Sequence, residues 1–348
     1  MTPTNTGEGP LSVYLSVLRG RRPARHWVCR GIEVEGSLLE EGNEEALWEE
    51  HRRAMARFRD AWDRSEEPHP ASPSLLDLKL ALAESILGDC RFCERRCGAD
   101  RAGGETGFCG VGRESRFASQ FLHMGEEPEL VPSHTIFFSG CTFACAYCQN
   151  WDIAMHPGSG ARADPRLLAQ VLEEGLQHGS RNANFVGGNP DPHLHTILAI
   201  VRGLGAAASH LPLVWNSNMF TSQEAMLILE GVMDIWLADF RYGNDQCARR
   251  LSEVDGYLEV VTRNLLLAAG SGEVMLRHLV LPGHRDCCTE PIMRWVSENL
   301  PGVYYNLMFQ YRPEYRASLH PGMDRRLTTE ERREALELAR RYRLVPAV

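Results

Sequence analysis

Beyond about residue 130 the chain alternates short apolar runs with longer amphipathic stretches. Thr135–Ser139, Ala183–Val186, Leu213–Asn216, Ile235–Asp239, Val274–Val280 and Val303–Phe309 are brief and rich in branched and aromatic residues, which predicts strands. Between them, Pro165–His178, His193–Ala208, Thr221–Glu230, Tyr257–Ala269 and Glu290–Leu300 have the spacing of helices with one apolar face. A last helix, Thr328–Arg341, opens on Thr328-Thr329-Glu330-Glu331, where a hydroxyl and a carboxylate can cap each other's backbone. Strands alternating with helices predict an α/β fold with a parallel sheet, and six units fall short of the eight of a closed barrel.

The first part of the chain follows a different pattern. Met1–Pro10, rich in Thr, Gly and Pro, is expected to be disordered. Glu45–Arg64 places Leu47, Trp48, Met55, Phe58 and Trp62 on one helical face, and Ser65–Ser74 carries Pro68, Pro70 and Pro73 as a linker. Another helix is expected over Leu75–Leu87. The organisation is therefore an N-terminal helical extension (1–75), a four-cysteine segment (76–130) and a barrel (131–348).

A net charge of −9 gives no electrostatic footprint for nucleic acid or an anionic membrane. No apolar stretch reaches transmembrane length, and the polar N-terminus is unlike a signal peptide. The expected location is the cytoplasm. Eleven cysteines are many for such a protein, and seven fall in two compact groups, which favours metal over disulfides.

The first group is Cys90, Cys93, Cys97 and, after a glycine-rich return, Cys109. Four thiolates would satisfy either zinc or an auxiliary [4Fe-4S] cluster. The second is Cys141, Cys145 and Cys148, directly after the first strand of the barrel. Three thiolates are one short of a closed site, so a cubane held there keeps one iron open. Cys29 and Cys247 stand alone, and Cys287-Cys288 read as loop residues. In parallel barrels the chemistry lies where strands end at their C-terminal side. Those ends carry Gly187-Gly188-Asn189-Pro190, then Trp215-Asn216-Ser217-Asn218, then Asp239-Phe240-Arg241. Glycines let the backbone approach a ligand closely, so a side chain at Gly188 is expected to crowd one. Asp239 and Arg241 fall on the same side of an extended segment, where they can pair or bracket a ligand. Arg277 sits within an apolar strand and needs an anionic partner. His278 reads as a core histidine, and His193 and His195 as helix-start residues.

The Cys141 loop resembles that of the radical S-adenosylmethionine (SAM) enzymes, whose CxxxCxxC motif holds a [4Fe-4S] cluster with SAM on the open iron. In that family the position of Tyr147 lies near the adenine. Gly187-Gly188-Asn189-Pro190 is similar to the family's GGEP turn at the SAM amino group, with Asn189 lacking the charge of the usual Glu. Asn216 and Asn218 resemble the strand end that meets the SAM carboxylate region or a nearby cation. Asp239-Phe240-Arg241 resembles the Asp-x-Lys of pyruvate formate-lyase activating enzyme, with Arg for Lys. Arg277–Gly283 resembles that enzyme's Arg-Tyr-Val-Val-Val-Pro-Gly, whose Arg meets SAM or substrate. From about Cys90 onward the chain looks like a radical SAM branch related to that activating enzyme. The resemblance implies a partial (β/α)6 barrel of TIM type and reductive cleavage of SAM to a 5′-deoxyadenosyl radical. It further implies an electron donor such as flavodoxin or ferredoxin. The substrate would be a protein or peptide, activated as a glycyl-radical enzyme is, or alternatively a peptide or small molecule modified by the same radical. A non-catalytic metal-binding protein is the remaining alternative.

Overall fold

One eight-stranded sheet organises the chain, in the order β3-β1-β2-β4-β5-β6-β7-β8, in a computed structural model that describes residues 9–65 and 67–344. Most of the expected disordered stretch Met1–Pro10 lies outside the described residues. The strands are β1 (Arg116–His123), β2 (Ser133–Phe138), β3 (Ala161–Arg162), β4 (Asn182–Gly187), β5 (Leu213–Ser217), β6 (Ile235–Asp239), β7 (Glu273–Leu279) and β8 (Tyr304–Met308). From β2 through β4 to β8 every neighbouring pair is parallel. These six are the strands that the apolar runs predict. The sheet as a whole is mixed, because β1 pairs antiparallel with both β2 and β3. The sequence reading expected a parallel sheet and had no strand at β1. Its residues, Arg116, Ser119, Gln120 and His123 among them, lack the apolar face that announces a strand.

Crossover helices Pro165–Gln177, Leu194–Gly203, Gln223–Leu229, Tyr257–Ser271 and Glu290–Asn299 carry the chain back between parallel strands. A short helix, Asp245–Ser252, lies between β6 and Tyr257, and a turn of π-helix, Arg285–Thr289, follows β7. The terminal helix Thr329–Arg341 starts on the predicted capping box between Thr328 and Glu331. Helix Leu75–Ile86 has an equivalent box between Ser74 and Asp77 and packs against the outside of the barrel.

The N-terminal helices Ser12–Leu18, Arg25–Arg30, Gly36–Glu41 and Glu44–Arg64 share the barrel's hydrophobic core through residues such as Val28, Leu47, Met55 and Phe58. Ser12–Leu18 has a more specific place. Leu11 and Tyr14 pack with Val214, Ile235, Leu237, Met275 and Tyr304, the inward residues at the N-terminal ends of the parallel strands. Glu273 of β7 accepts the Val13 and Tyr14 backbone N–H groups at 2.9 and 2.7 Å. The start of the chain thus closes the floor of the barrel and leaves its C-terminal mouth open. No helix among the described residues is long and apolar enough to cross a membrane.

Candidate active site

The cysteine loop leaves β2 and turns across the mouth. Cys141 and Cys145 are buried, and Cys148 is half-buried at the edge of a cavity of about 450 Å³. Burial, and then the neighbouring Cys145 and Cys148, push the Cys141 thiol well above its usual range. Burial likewise raises Cys148 to about 12. Neutral thiols are the stable form without metal, and binding a metal would release their protons. The three sulfurs do not crowd to single-ion spacing among the described residues, and a cluster of several irons holds its ligands further apart than one ion does. Donors aim at these sulfurs. The Phe143 backbone N–H lies 3.3 Å from Cys141 Sγ, the Ser252 hydroxyl 3.0 Å from Cys145 Sγ, and an Arg241 guanidinium nitrogen 3.7 Å from Cys145 Sγ. This donor set suits an anionic cluster, since hydrogen bonds to its sulfurs tune its potential.

Tyr147, Cys148, Gly187, Gly188, Asn189, Asn216, Asn218, Asp239, Arg241 and Arg277 all line this one cavity. Several are nevertheless committed elsewhere. Asn189 donates to Thr142 Oγ1 at 3.3 Å and accepts the Asn218 N–H at 3.2 Å, while Asn218 donates to the same Thr142 oxygen at 2.9 Å. These two amides tie the second and third parallel strand ends to the cysteine loop. Tyr147 is buried, its hydroxyl donating to Tyr242 at 2.8 Å; Tyr242 meets Ser252 at 2.5 Å, and Ser252 reaches Cys145. Asp239 pairs with Arg241 across the alternation of the strand end. Arg277 is not held by Asp239, its register neighbour on β6. Its guanidinium grips Glu126 and Glu127, with Nε 2.7 Å from Glu127 Oε1. Burial pushes the Glu127 carboxyl up, and Arg277, with Asn306, brings it back below the usual range. Glu126 and Glu127 belong to the loop between β1 and β2, which re-enters the barrel.

Gly188 lines the cavity and also packs against the start of the cysteine loop. A Cβ there would lie 2.1 Å from the Gly140 carbonyl oxygen, so it meets the backbone just before Cys141. Gly188→Val is therefore expected to displace the cysteine loop and lose most of the bound iron and sulfide, as measured by chemical analysis after reconstitution. Full iron loading in that variant would show that the loop yields without cost. Asp191, two residues past the Asn189 amide, accepts from Trp215 Nε1, Ser217 and Thr221 at 3.2, 3.3 and 3.0 Å. Desolvation raises its carboxyl to about 6 despite those donors.

The four-cysteine segment packs against the same loop. Cys90, Cys93, Cys97 and Cys109 line a small cavity with Phe92, Arg95, Arg101, Phe108 and Thr142. Arg95 bridges the two cysteine groups: it donates to the Thr142 carbonyl at 2.5 Å and the Glu253 carbonyl at 2.6 Å, and its guanidinium lies 3.4 Å over the Phe108 ring. Arg91 and Arg96 are bound to Glu44, Glu94 and Glu224 instead. A second cation beside the thiols is Arg101, fully buried and 3.6 Å from Cys90 Sγ. Nothing in its local sequence marks it. His278 is bonded to the Phe240 carbonyl and Thr289, His193 to the Ser139 carbonyl and His195 to the Arg113 carbonyl, all within the protein.

A partial barrel of six parallel strands with a three-cysteine loop where β2 opens onto a lined cavity is the frame of an enzyme that holds an iron–sulfur cluster. Residues 135–296 match the model of the radical SAM superfamily, and the chain belongs to that superfamily. An uncharacterized protein of Methanocaldococcus jannaschii is 44% identical over 341 residues, 96% of this chain and 98% of its own. Membership implies a [4Fe-4S] cluster and SAM as cofactors.

Proposed function

We propose that the chain is an activating-enzyme-like radical SAM enzyme that takes a hydrogen atom from a protein or peptide substrate. The observation that carries this reading is the single cavity that gathers Cys148, Tyr147, the Gly187-Gly188 turn and the polar ends of β5, β6 and β7. When bound, the cluster and SAM supply reductive cleavage of the SAM C–S bond to methionine and a 5′-deoxyadenosyl radical. Cys141, Cys145 and Cys148 would hold the cluster. The close backbone at Gly187 and Gly188 offers carbonyls to the SAM ammonium, a role the neutral Asn189 side chain leaves to them. Asn216 would meet the methionyl carboxylate and the Tyr147 ring would wall the adenine side, with Asn218 lining the same end of the cavity while its amide stays on Thr142. Arg241, beside Cys145, would balance the cluster's charge, and Asp239 orients it. The closed floor keeps water from the barrel interior. Electrons come from a donor such as flavodoxin or ferredoxin in the cytoplasm.

Anaerobic reconstitution with dithionite tests this. The expected result is 5′-deoxyadenosine, with hydrogen taken from a peptide or protein partner. Deoxyadenosine without transfer to any peptide would shift the substrate to a small molecule, and none at all would make the chain a metal-binding protein without catalysis.

The four-cysteine segment is the second metal centre of this reading, either zinc or an auxiliary cluster. Its support is the shared cavity of the four thiols with Arg101 beside them. A variant lacking Cys141, Cys145 and Cys148 is expected to retain metal that a further Cys90→Ala, Cys93→Ala change removes. Iron with sulfide would identify a cluster, and zinc a structural site. No metal lost on the further change would mean that these four thiols bind none.

A further inference from the structure

Cys247 and the Cys287-Cys288 pair are far apart in sequence but meet in the fold. Cys247 lies in the first turn of helix Asp245–Ser252, and Cys287 on the π-helical turn after β7. Their Sγ atoms are 3.8 Å apart. That is too far for a disulfide, but two thiolates on one tetrahedral zinc, each at about 2.3 Å, lie about 3.8 Å from each other. A ring nitrogen of His284 completes a trio whose ligand atoms all fall within 4.8 Å of one another. We propose that Cys247, His284 and Cys287 form a site for one thiophilic divalent cation, zinc before others, distinct from both cysteine groups described above.

The surroundings are those of a built site. His284 Nδ1 lies 2.7 Å from the Pro282 carbonyl, so that nitrogen carries the proton and Nε2 keeps its lone pair. A carbonyl that fixes the tautomer in this way is the usual support of a metal-ligating histidine. Nε2 now accepts from Arg250 at 2.7 Å, and Arg250 is exposed and free to turn outward when a metal takes its place. Asn244 clamps the two halves together. Its amide nitrogen reaches the Cys287 carbonyl at 2.6 Å and Cys247 Sγ at 3.4 Å, and its oxygen accepts the Cys247 N–H at 2.8 Å. Gly243 permits the approach, because a Cβ there would lie 2.8 and 2.9 Å from the Cys288 and Cys287 carbonyls. Two thiolates and an imidazole with no carboxylate select zinc over the hard cations. Cys288, its thiol 3.9 Å from the Asn244 amide, is the nearest further sulfur for a fourth position. Cys287 is exposed and provides the way in.

The location gives the site a purpose. At its other end the same helix holds the Cys141 loop: the Leu251 and Ser252 carbonyls accept from Ala146 and Ala144 at 2.7 and 3.2 Å. A cation at Cys247 would pin this helix to the turn after β7 and so brace the loop.

The test is zinc content per chain in full-length protein whose iron centres have been reconstituted anaerobically, then incubated with zinc and desalted. Cys287→Ser and the Cys247→Ser, Cys287→Ser double variant are compared with wild type. Serine at the exposed position 287 leaves the fold intact, which circular dichroism verifies. The expected result is loss of one zinc equivalent in the double variant, and at least tenfold weaker zinc binding in the single one, with iron and sulfide unchanged. Cobalt in place of zinc should give thiolate charge-transfer absorption that the double variant lacks. Equal zinc in wild type and double variant would overturn the site. So would a Cys247–Cys287 disulfide found by mass spectrometry in the anaerobic protein.

Discussion

Alanine in place of Cys141, Cys145 or Cys148 is expected to abolish 5′-deoxyadenosine formation from SAM. Each change removes one of three thiolates, and no other cysteine can stand in. The nearest group, Cys90–Cys109, faces its own cavity and is held off by Arg95 and Thr142. The donors at Cys141 and Cys145 would also lose the sulfurs they serve. The measurement is deoxyadenosine per chain under dithionite, paired with iron and sulfide analysis. Wild-type yield from any one variant would remove the Cys141 loop from the mechanism.

Arg277→Ala is expected to cost the fold about 3–5 kcal/mol, the range for breaking a buried ion pair by removing one partner. Glu126 and Glu127 would stay behind in the barrel with their compensating cation gone. The pH dependence should change sign. In the wild type Glu127 sits below the usual glutamate value of 4.5. Its contribution is present above that value and is lost as pH falls through the lower folded one. Without Arg277, burial, the largest influence, is opposed only by the Asn306 and backbone hydrogen bonds and raises the folded value, so the contribution is present at low pH and is lost as pH rises. Melting temperatures of wild type and variant at pH 5 and pH 7.5 read this directly. A variant as stable at pH 7.5 as the wild type would show that the two glutamates do not depend on Arg277.

The six parallel strands were legible because they are buried on both faces and so read as unbroken apolar runs. Their limits fall within two residues of those read from the runs. β1 was not legible: an edge-side strand with Arg, Ser, Gln and His along it offers no contrast between faces. The partners of Arg277 were hidden for another reason. Glu126 and Glu127 lie 151 and 150 residues from it and look locally like surface charge; only the return of their loop into the barrel buries them. The cysteine loop and the residues of the strand ends were found because their spacing is local. The Ser252 and Tyr242 chain to Cys145 carries no local signal, and neither does the meeting of Cys247 with Cys287. The floor formed by Leu11 and Tyr14 escaped because seven residues, Ser12–Leu18, are too few to show a period.

The docking of the four-cysteine segment has a consequence for biosynthesis. Cys93 forms a bridge with Thr221, Glu94 donates to the Phe220 carbonyl, and Ser222 donates to the Phe92 carbonyl. The segment's scaffold is thus made by a stretch that follows it by more than a hundred residues. At translation rates of about 5–20 residues per second, roughly 5–25 s pass between synthesis of Cys109 and of Ser222. Throughout that interval the four thiols lack the backbone pairings that later fix Phe92, Cys93 and Glu94 against the strand end. A metal bound there, as proposed, would gain its full scaffold only after the third parallel strand and its turn are made.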